Sequence, residues 1–195
     1  MSRSLRLVPS DPAWPAQYAR LAAEIRAALG AVLLDVQHVG STAVPGLLSK
    51  PVIDIAIAVA SERDAGVCVA PLVALGYQHR GPHGDDPQRR YFVRDAGGVR
   101  IVQVHLYMLP AVAWDALLTF RDALRAHAHL AAAYTSEKLR VAERVQWNKA
   151  EYAIAKGPFV RRALVTSERL LHEQSATLTD EAYTTESSVS PRDLR

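Results

Sequence analysis

The run His38-Val39-Gly40-Ser41-Thr42-Ala43-Val44-Pro45-Gly46, followed closely by Lys50-Pro51-Val52-Ile53-Asp54-Ile55-Ala56-Ile57, constrains this chain more than any other stretch. The apolar segment Ala31 to Val36 leads into a strand expected near Leu33–His38. Gly40-Ser41 predicts a turn and Thr42–Leu48 a short helix, after which Val52–Val59 reads as a strand with one charged residue, Asp54. A strand, a Gly-Ser turn, a helix start and a carboxylate-bearing strand suit a phosphate-rich ligand. Glycine lets the backbone approach phosphate oxygens, and N–H groups at a helix start point toward an anion. A carboxylate on the neighbouring strand can hold the Mg²⁺ that neutralises those phosphates. Gly40, Ser41 and Thr42 are thus candidate phosphate-binding residues, and Asp54 is the candidate Mg²⁺ ligand and catalytic carboxylate.

From His38 to Asp54 the sequence resembles the signature of the GrpB family, placed in the nucleotidyltransferase superfamily with the polymerase-β-like fold. Gly40-Ser41 and Asp54-Ile55 fit the superfamily spacing, in which Asp, an apolar residue and a second acid follow Gly-Ser. The second acidic position here is Ala56, a departure from the pattern. Phe120-Arg121-Asp122-Ala123-Leu124-Arg125, Tyr134…Lys138 and Tyr152…Lys156…Phe159 also look like family motifs, so the likeness runs from about Asp11 to Phe159. It implies an α+β fold: a nucleotidyltransferase-like mixed, twisted sheet covered by helices, with a C-terminal helical layer. It also implies a nucleoside triphosphate bound with Mg²⁺, and transfer of its nucleotidyl group to a small acceptor or adenylylation of an acid. Arg90, Gln103 and His105 match residues typical of the family. Where the superfamily supplies a third acidic ligand, the candidates here are Gln103 and His105.

Strand parity refines the candidates. Ile53, Ile55, Ile57 and Val59 share one face of their strand, while Val52, Asp54, Ala56 and Ala58 share the other. The first set reads as core, and the small second set leaves room beside the carboxylate. In the strand Val99–Met108, Val102, Val104, Leu106 and Met108 read as core, with Gln103, His105 and Tyr107 facing solvent or a cleft. Lys50 and Arg90 are expected counter-charges for phosphate, with Gln103 beside them; His105 is the expected acceptor of a proton, or a metal ligand. His38, two residues before Gly40, orients the turn or touches a phosphate. Arg121 either pairs with Asp122 on a helix surface or converges with Lys138 and Lys156 on the cleft, and the sequence leaves both open.

The remaining organisation is one domain over 1–173, with the sheet in about 1–109 and helices in 110–173. Helices are expected from a start at Ser10-Asp11-Pro12 through Trp14 to Leu29, from Glu62 to Leu75, Ala111 to His127 and Ala128 to Glu143, and from Trp147 to Glu173 with a break at Gly157-Pro158 as an alternative. Residues 81–87 read as a solvated loop, and the Ser/Thr/Glu-rich stretch 174–195 as a disordered tail. Cys68, the single cysteine, lies in the apolar run Val67-Cys68-Val69 and reads as a small core residue. A net charge of +3 argues against nucleic acid as the partner. No stretch is long enough to span a membrane, so the cytoplasm is the expected location. The chain is then either a Mg²⁺-dependent transferase or, given Ala56, a nucleotide-binding sensor with weak or no turnover.

Overall fold

Trp14, Leu21, Ile25 and Leu29 recur at helical spacing, and helix α1 spans Trp14–Leu29 in the computed structural model. The structure describes residues 5–83, 86–155, 157–160, 162 and 164. After α1 come strand β1 (Asp35–Val39), a 3₁₀ turn at Ser41–Ala43 and strand β2 (Ile53–Val59). Helices α2 (Glu62–Val67) and α3 (Val69–Ala74) lead to strands β3 (Gln78–His83), β4 (Asp86–Ala96) and β5 (Val99–Met108). Helices α4 (Val112–Ala126), α5 (Ala128–Arg144) and α6 (Lys149–Ala155) complete the order.

The five strands form one mixed sheet in the order β1-β2-β5-β4-β3. β2 and β5 are parallel, and the other neighbours are antiparallel. One face carries the main core, where Ile55, Ile57, Val104, Leu106 and Phe92 pack with Ile25 of α1 and Leu72 of α3. The opposite face carries Ala56, Ala58 and Tyr107 against Trp114 of α4. Parity thus places both β2 sets as expected. Tyr107 departs from its polar neighbours: it is buried, with its ring edge-on to Trp114 at 6.1 Å. Cys68 is fully buried in the main core, and that burial pushes its thiol pKa up.

Local chemistry explains where the elements differ from expectation. The helix expected over Glu62 to Leu75 is two, broken at Cys68. Pro71 lacks an N–H, and its ring crowds the carbonyl of Val67 four residues back. The helix expected over Thr42–Leu48 shrinks to the single 3₁₀ turn, because Pro45 forces Val44 into an extended conformation at φ −110° and ψ 113°. Strand pairing continues through much of 81–87, as β3 reaches His83 and β4 starts at Asp86. The N-terminal arm is extended: Val8 bridges Ser49, and the Leu5 N–H donates to the Trp147 carbonyl at 2.8 Å. The expected tail 174–195, and most of the expected helix from Trp147 to Glu173, lie outside the described residues. Among those residues no helix is long and apolar enough to cross a membrane.

Candidate active site

Pairing of β1 with β2 puts Val39 opposite Asp54, so the chain reaches Gly40 as it passes the Asp54 carboxylate. Gly40 has φ 70° and ψ −169°, a conformation essentially reserved for glycine. A Cβ at this position would lie 2.5 Å from Asp54 Oδ2 and 3.0 Å from its Cβ. The missing side chain therefore lets the turn close directly over the carboxylate. The Asp54 side chain keeps 28% exposure and lines a cleft together with Gly40, Ser41 and Thr42. On its other flank, the parallel β2–β5 register aligns Asp54 with Gln103 and Ala56 with His105. His105 Nε2 lies 4.0 Å from Asp54 Oδ1, and its ring sits 5.1 Å from that of Tyr91. Asp54, Gln103 and His105 therefore share one face and adjoin one another.

The turn is held from above by the C-terminal helices. Lys138 of α5 donates from Nζ to Ser41 Oγ at 3.0 Å and also to the Leu48 carbonyl, with its ammonium 4.6 Å from the centre of the Tyr134 ring. Arg121 of α4 donates to Gln37 Oε1 at 2.8 Å and to the His38 carbonyl at 3.1 Å. The same guanidinium pairs with Asp122, and those hydrogen bonds hold the Asp122 carboxyl below its ordinary range. Arg125 Nε donates to the Ala43 carbonyl at 2.9 Å. Lys50 reaches the cleft with its ammonium over the Tyr152 ring at 4.7 Å. Arg121 pairs with Asp122, as the first alternative has it, and it also lines the cleft with Lys138 while gripping the turn. Lys156 lies outside the described residues.

His38 stands behind the turn and lines a separate groove, not the cleft. Its Nε2 is 3.0 Å from Thr42 Oγ1, which itself donates to the Val52 carbonyl at 3.3 Å. Because the hydroxyl proton is given to Val52, Thr42 accepts from Nε2–H, which fixes a neutral tautomer. The imidazole stacks on Tyr18 at 4.6 Å with an interplanar angle of 9°. Burial first, then Arg125 and Arg121, push its pKa from 6.5 down to about 4. The unfolded chain then binds a proton that the native state refuses between those values. The contribution is complete above pH 6.5 and is lost as the pH falls toward 4, a change of roughly 3 kcal/mol. Urea midpoints at pH 7 and pH 4.5 should show a smaller acid-induced loss in His38→Gln than in the wild-type protein.

Arg90, expected as a phosphate counter-charge, is not brought to the cleft. It stands opposite Leu106 on the main-core face and is ion-paired with Glu62 at the start of α2. Its neighbour Arg89 occupies the cleft-side face, 3.4 Å from the Tyr107 hydroxyl. Arg121 and Lys138 stand in the sequence reading as one of two open alternatives, whereas Arg125 is not singled out there as a site residue. The available signal was a cationic residue on an otherwise apolar helix stripe, with Lys138 one turn after Tyr134.

The donor set suits one hard cation. Asp54 supplies carboxylate oxygens beside a bare backbone, and Mg²⁺ bound by one carboxylate and substrate phosphates keeps several waters. Ala56, at the position where the superfamily pattern has its second acid, offers no oxygen to a second ion and is fully buried in the apolar layer under α4. Among the described residues no group of three or more His, Cys, Asp or Glu side chains is gathered as a metal cluster.

A sequence profile described as GrpB protein matches residues 4–166. UPF0157 protein PA4798 of Pseudomonas aeruginosa is 39% identical over 163 residues, covering 82% of this chain and 66% of its own length. UPF0157 protein BH1888 of Halalkalibacterium halodurans is 35% identical over 162 residues, covering 83% of this chain and 81% of its own. A dephospho-CoA kinase of Mycolicibacterium paratuberculosis is 34% identical over 184 residues, and the alignment spans only 45% of that relative. The crystal structure of conserved protein GrpB from Enterococcus faecalis superposes with a TM-score of 0.76 at 26% identity, covering 85% of this chain and 99% of that one. The Cid1 poly(U) polymerase in its Mg 3′-dATP-bound form gives a TM-score of 0.52 at 17% identity, covering 76% of this chain and 49% of that one. That second likeness is one of fold, and the five-stranded mixed sheet with its helices is nucleotidyltransferase-like.

Proposed function

Because this chain belongs to the GrpB family, we propose that its cleft binds a nucleoside triphosphate with one Mg²⁺ and passes the nucleotidyl group to a small acceptor. The observation that carries this is the Gly40 backbone lying against the Asp54 carboxylate, in a cleft that also receives the cations of Lys50, Arg121 and Lys138. The N–H groups that open the 3₁₀ turn, together with Ser41 Oγ, cradle the phosphate chain. Lys138 already touches Ser41 Oγ, so its ammonium balances phosphate charge arriving there. Asp54 would hold the Mg²⁺, which when bound would neutralise charge on the phosphates. His105, beside Asp54 on the β5 flank, takes the proton of the attacking acceptor. The acceptor oxygen then forms a bond to the α-phosphorus as the bond to pyrophosphate breaks, and pyrophosphate leaves with the electron pair.

Ala56 favours a second reading, nucleotide sensing without turnover, since it offers no oxygen where the superfamily pattern has its second acid. The two are separated by melting the protein with and without a nucleoside triphosphate and Mg²⁺, and by assaying pyrophosphate across a panel of acceptors. Binding at a hundredfold excess over Kd contributes about 2.7 kcal/mol, a rise of about 5–10 °C in Tm. Pyrophosphate release that needs both nucleotide and acceptor supports transfer. A Mg²⁺-dependent rise without release supports sensing, and no rise with any nucleotide rules out both.

A further inference from the structure

Resting on that proposed site, we infer that the cleft recognises its nucleotide by the phosphate chain and not by the base, so that ATP, GTP, CTP and UTP bind alike. Strong discrimination between bases needs polar groups placed to pair with a base edge, because only an unmatched buried donor or acceptor penalises the wrong ligand heavily. Among the described residues, the hydroxyl and charged groups lining the cleft are Ser41, Thr42, Lys50, Asp54, Arg121 and Lys138, a set matched to phosphate and metal, and the phenols of Tyr134 and Tyr152. Among the described lining residues there is no Asn, Gln or His side chain, and Gln103 and His105 stand on the β5 flank of Asp54, where the proposed site places the acceptor. Arg121 is fixed by Asp122, Gln37 and the His38 carbonyl, and the Thr42 hydroxyl is bonded to His38 and Val52.

The tyrosine rings of the cleft are likewise engaged. Tyr134 has Phe159 stacked on it at 5.3 Å and the Lys138 ammonium 4.6 Å from its centre, and it is 4% exposed. Tyr152 is 2% exposed, with the Lys50 ammonium over its ring. Neither offers a face for a base to select. Phe120 is half-buried and lines the cleft; contact with such a ring tolerates any base, because every base has a π-face. The cleft volume, about 150 Å³, is also below the ~300 Å³ at the small end of pockets that enclose a whole drug-sized ligand. It accommodates phosphates and leaves the nucleoside toward the mouth.

The test is calorimetric titration of the full chain, in Mg²⁺, with the four ribonucleoside triphosphates, with ADP and AMP, and with inorganic tripolyphosphate. The expected result is that the four triphosphates agree within about threefold, that each lost phosphate weakens binding about tenfold, and that tripolyphosphate competes with ATP. A preference of more than about tenfold for one base, or failure of tripolyphosphate to displace bound ATP, overturns this inference while leaving the proposed site intact. Absence of binding by every one of these compounds overturns the proposed site, and the inference with it.

Discussion

Replacing Gly40 by alanine should cost about 3 kcal/mol of stability and abolish nucleotide-induced stabilisation. A Cβ at this position meets Asp54 Oδ2 at 2.5 Å, far inside contact distance, and the obstacle extends to Asp54 Cβ at 3.0 Å. The clash is therefore with the root of the side chain, so rotating the carboxylate does not relieve it. The backbone adds its own penalty, because φ 70° with ψ −169° strains any L-residue by roughly 1–3 kcal/mol. Gly46 is the matched control. Its φ is 75°, but a Cβ there meets nothing within 4 Å, so Gly46→Ala should cost only the strain, about 1 kcal/mol. Urea denaturation of both variants reads the difference, and equal losses would show that the contact with Asp54 is unimportant.

Asp54→Asn should leave the melting temperature within a few degrees of wild type while weakening Mg²⁺-dependent nucleotide binding at least tenfold, or about 1.4 kcal/mol. The amide has the shape of the carboxylate, and the side chain keeps 28% exposure, so the fold has little to lose. The negative charge is what the cation requires. Binding should persist weakly without Mg²⁺ and gain little on its addition. Titrations with and without Mg²⁺ on both proteins check this, and an unchanged Mg²⁺ increment in Asp54→Asn would remove Asp54 as the ligand.

Much of this arrangement is legible in residues 38–59. Alternation alone assigns Ile53, Ile55 and Ile57 to the core and turns Asp54 the other way, and Gly40-Ser41 announces the turn that meets it. What alternation does not supply is the phase of a strand relative to the cleft. A one-residue offset moves a side chain to the opposite face, and this separates Arg89, beside Tyr107, from Arg90, beside Glu62. The role of His38 was equally hidden. Two residues before the glycine, it is as well placed in sequence to touch a ligand as to buttress the turn, and only its bond to Thr42 decides. Proline effects were readable one residue at a time, yet Pro71 and Pro45 each shortened a helix whose apolar spacing looked continuous. Arg121 and Lys138 could be named from the sequence, but the groups they grip could not, because those partners lie far away along the chain.

That remoteness bears on the order in which the protein is completed. Lys138 and Ser41 are 97 residues apart, Lys138 and Leu48 are 90, and Arg121 and the His38 carbonyl are 83. Contacts of such long range repay their loop-closure entropy only after nearer ones have formed. During synthesis the sheet strands emerge from the ribosome before the two helices that cap them. Before α5 docks, Ser41 Oγ and the Leu48 carbonyl lack the Lys138 ammonium that bonds both in the folded chain, so the turn is braced by a helix made about ninety residues later.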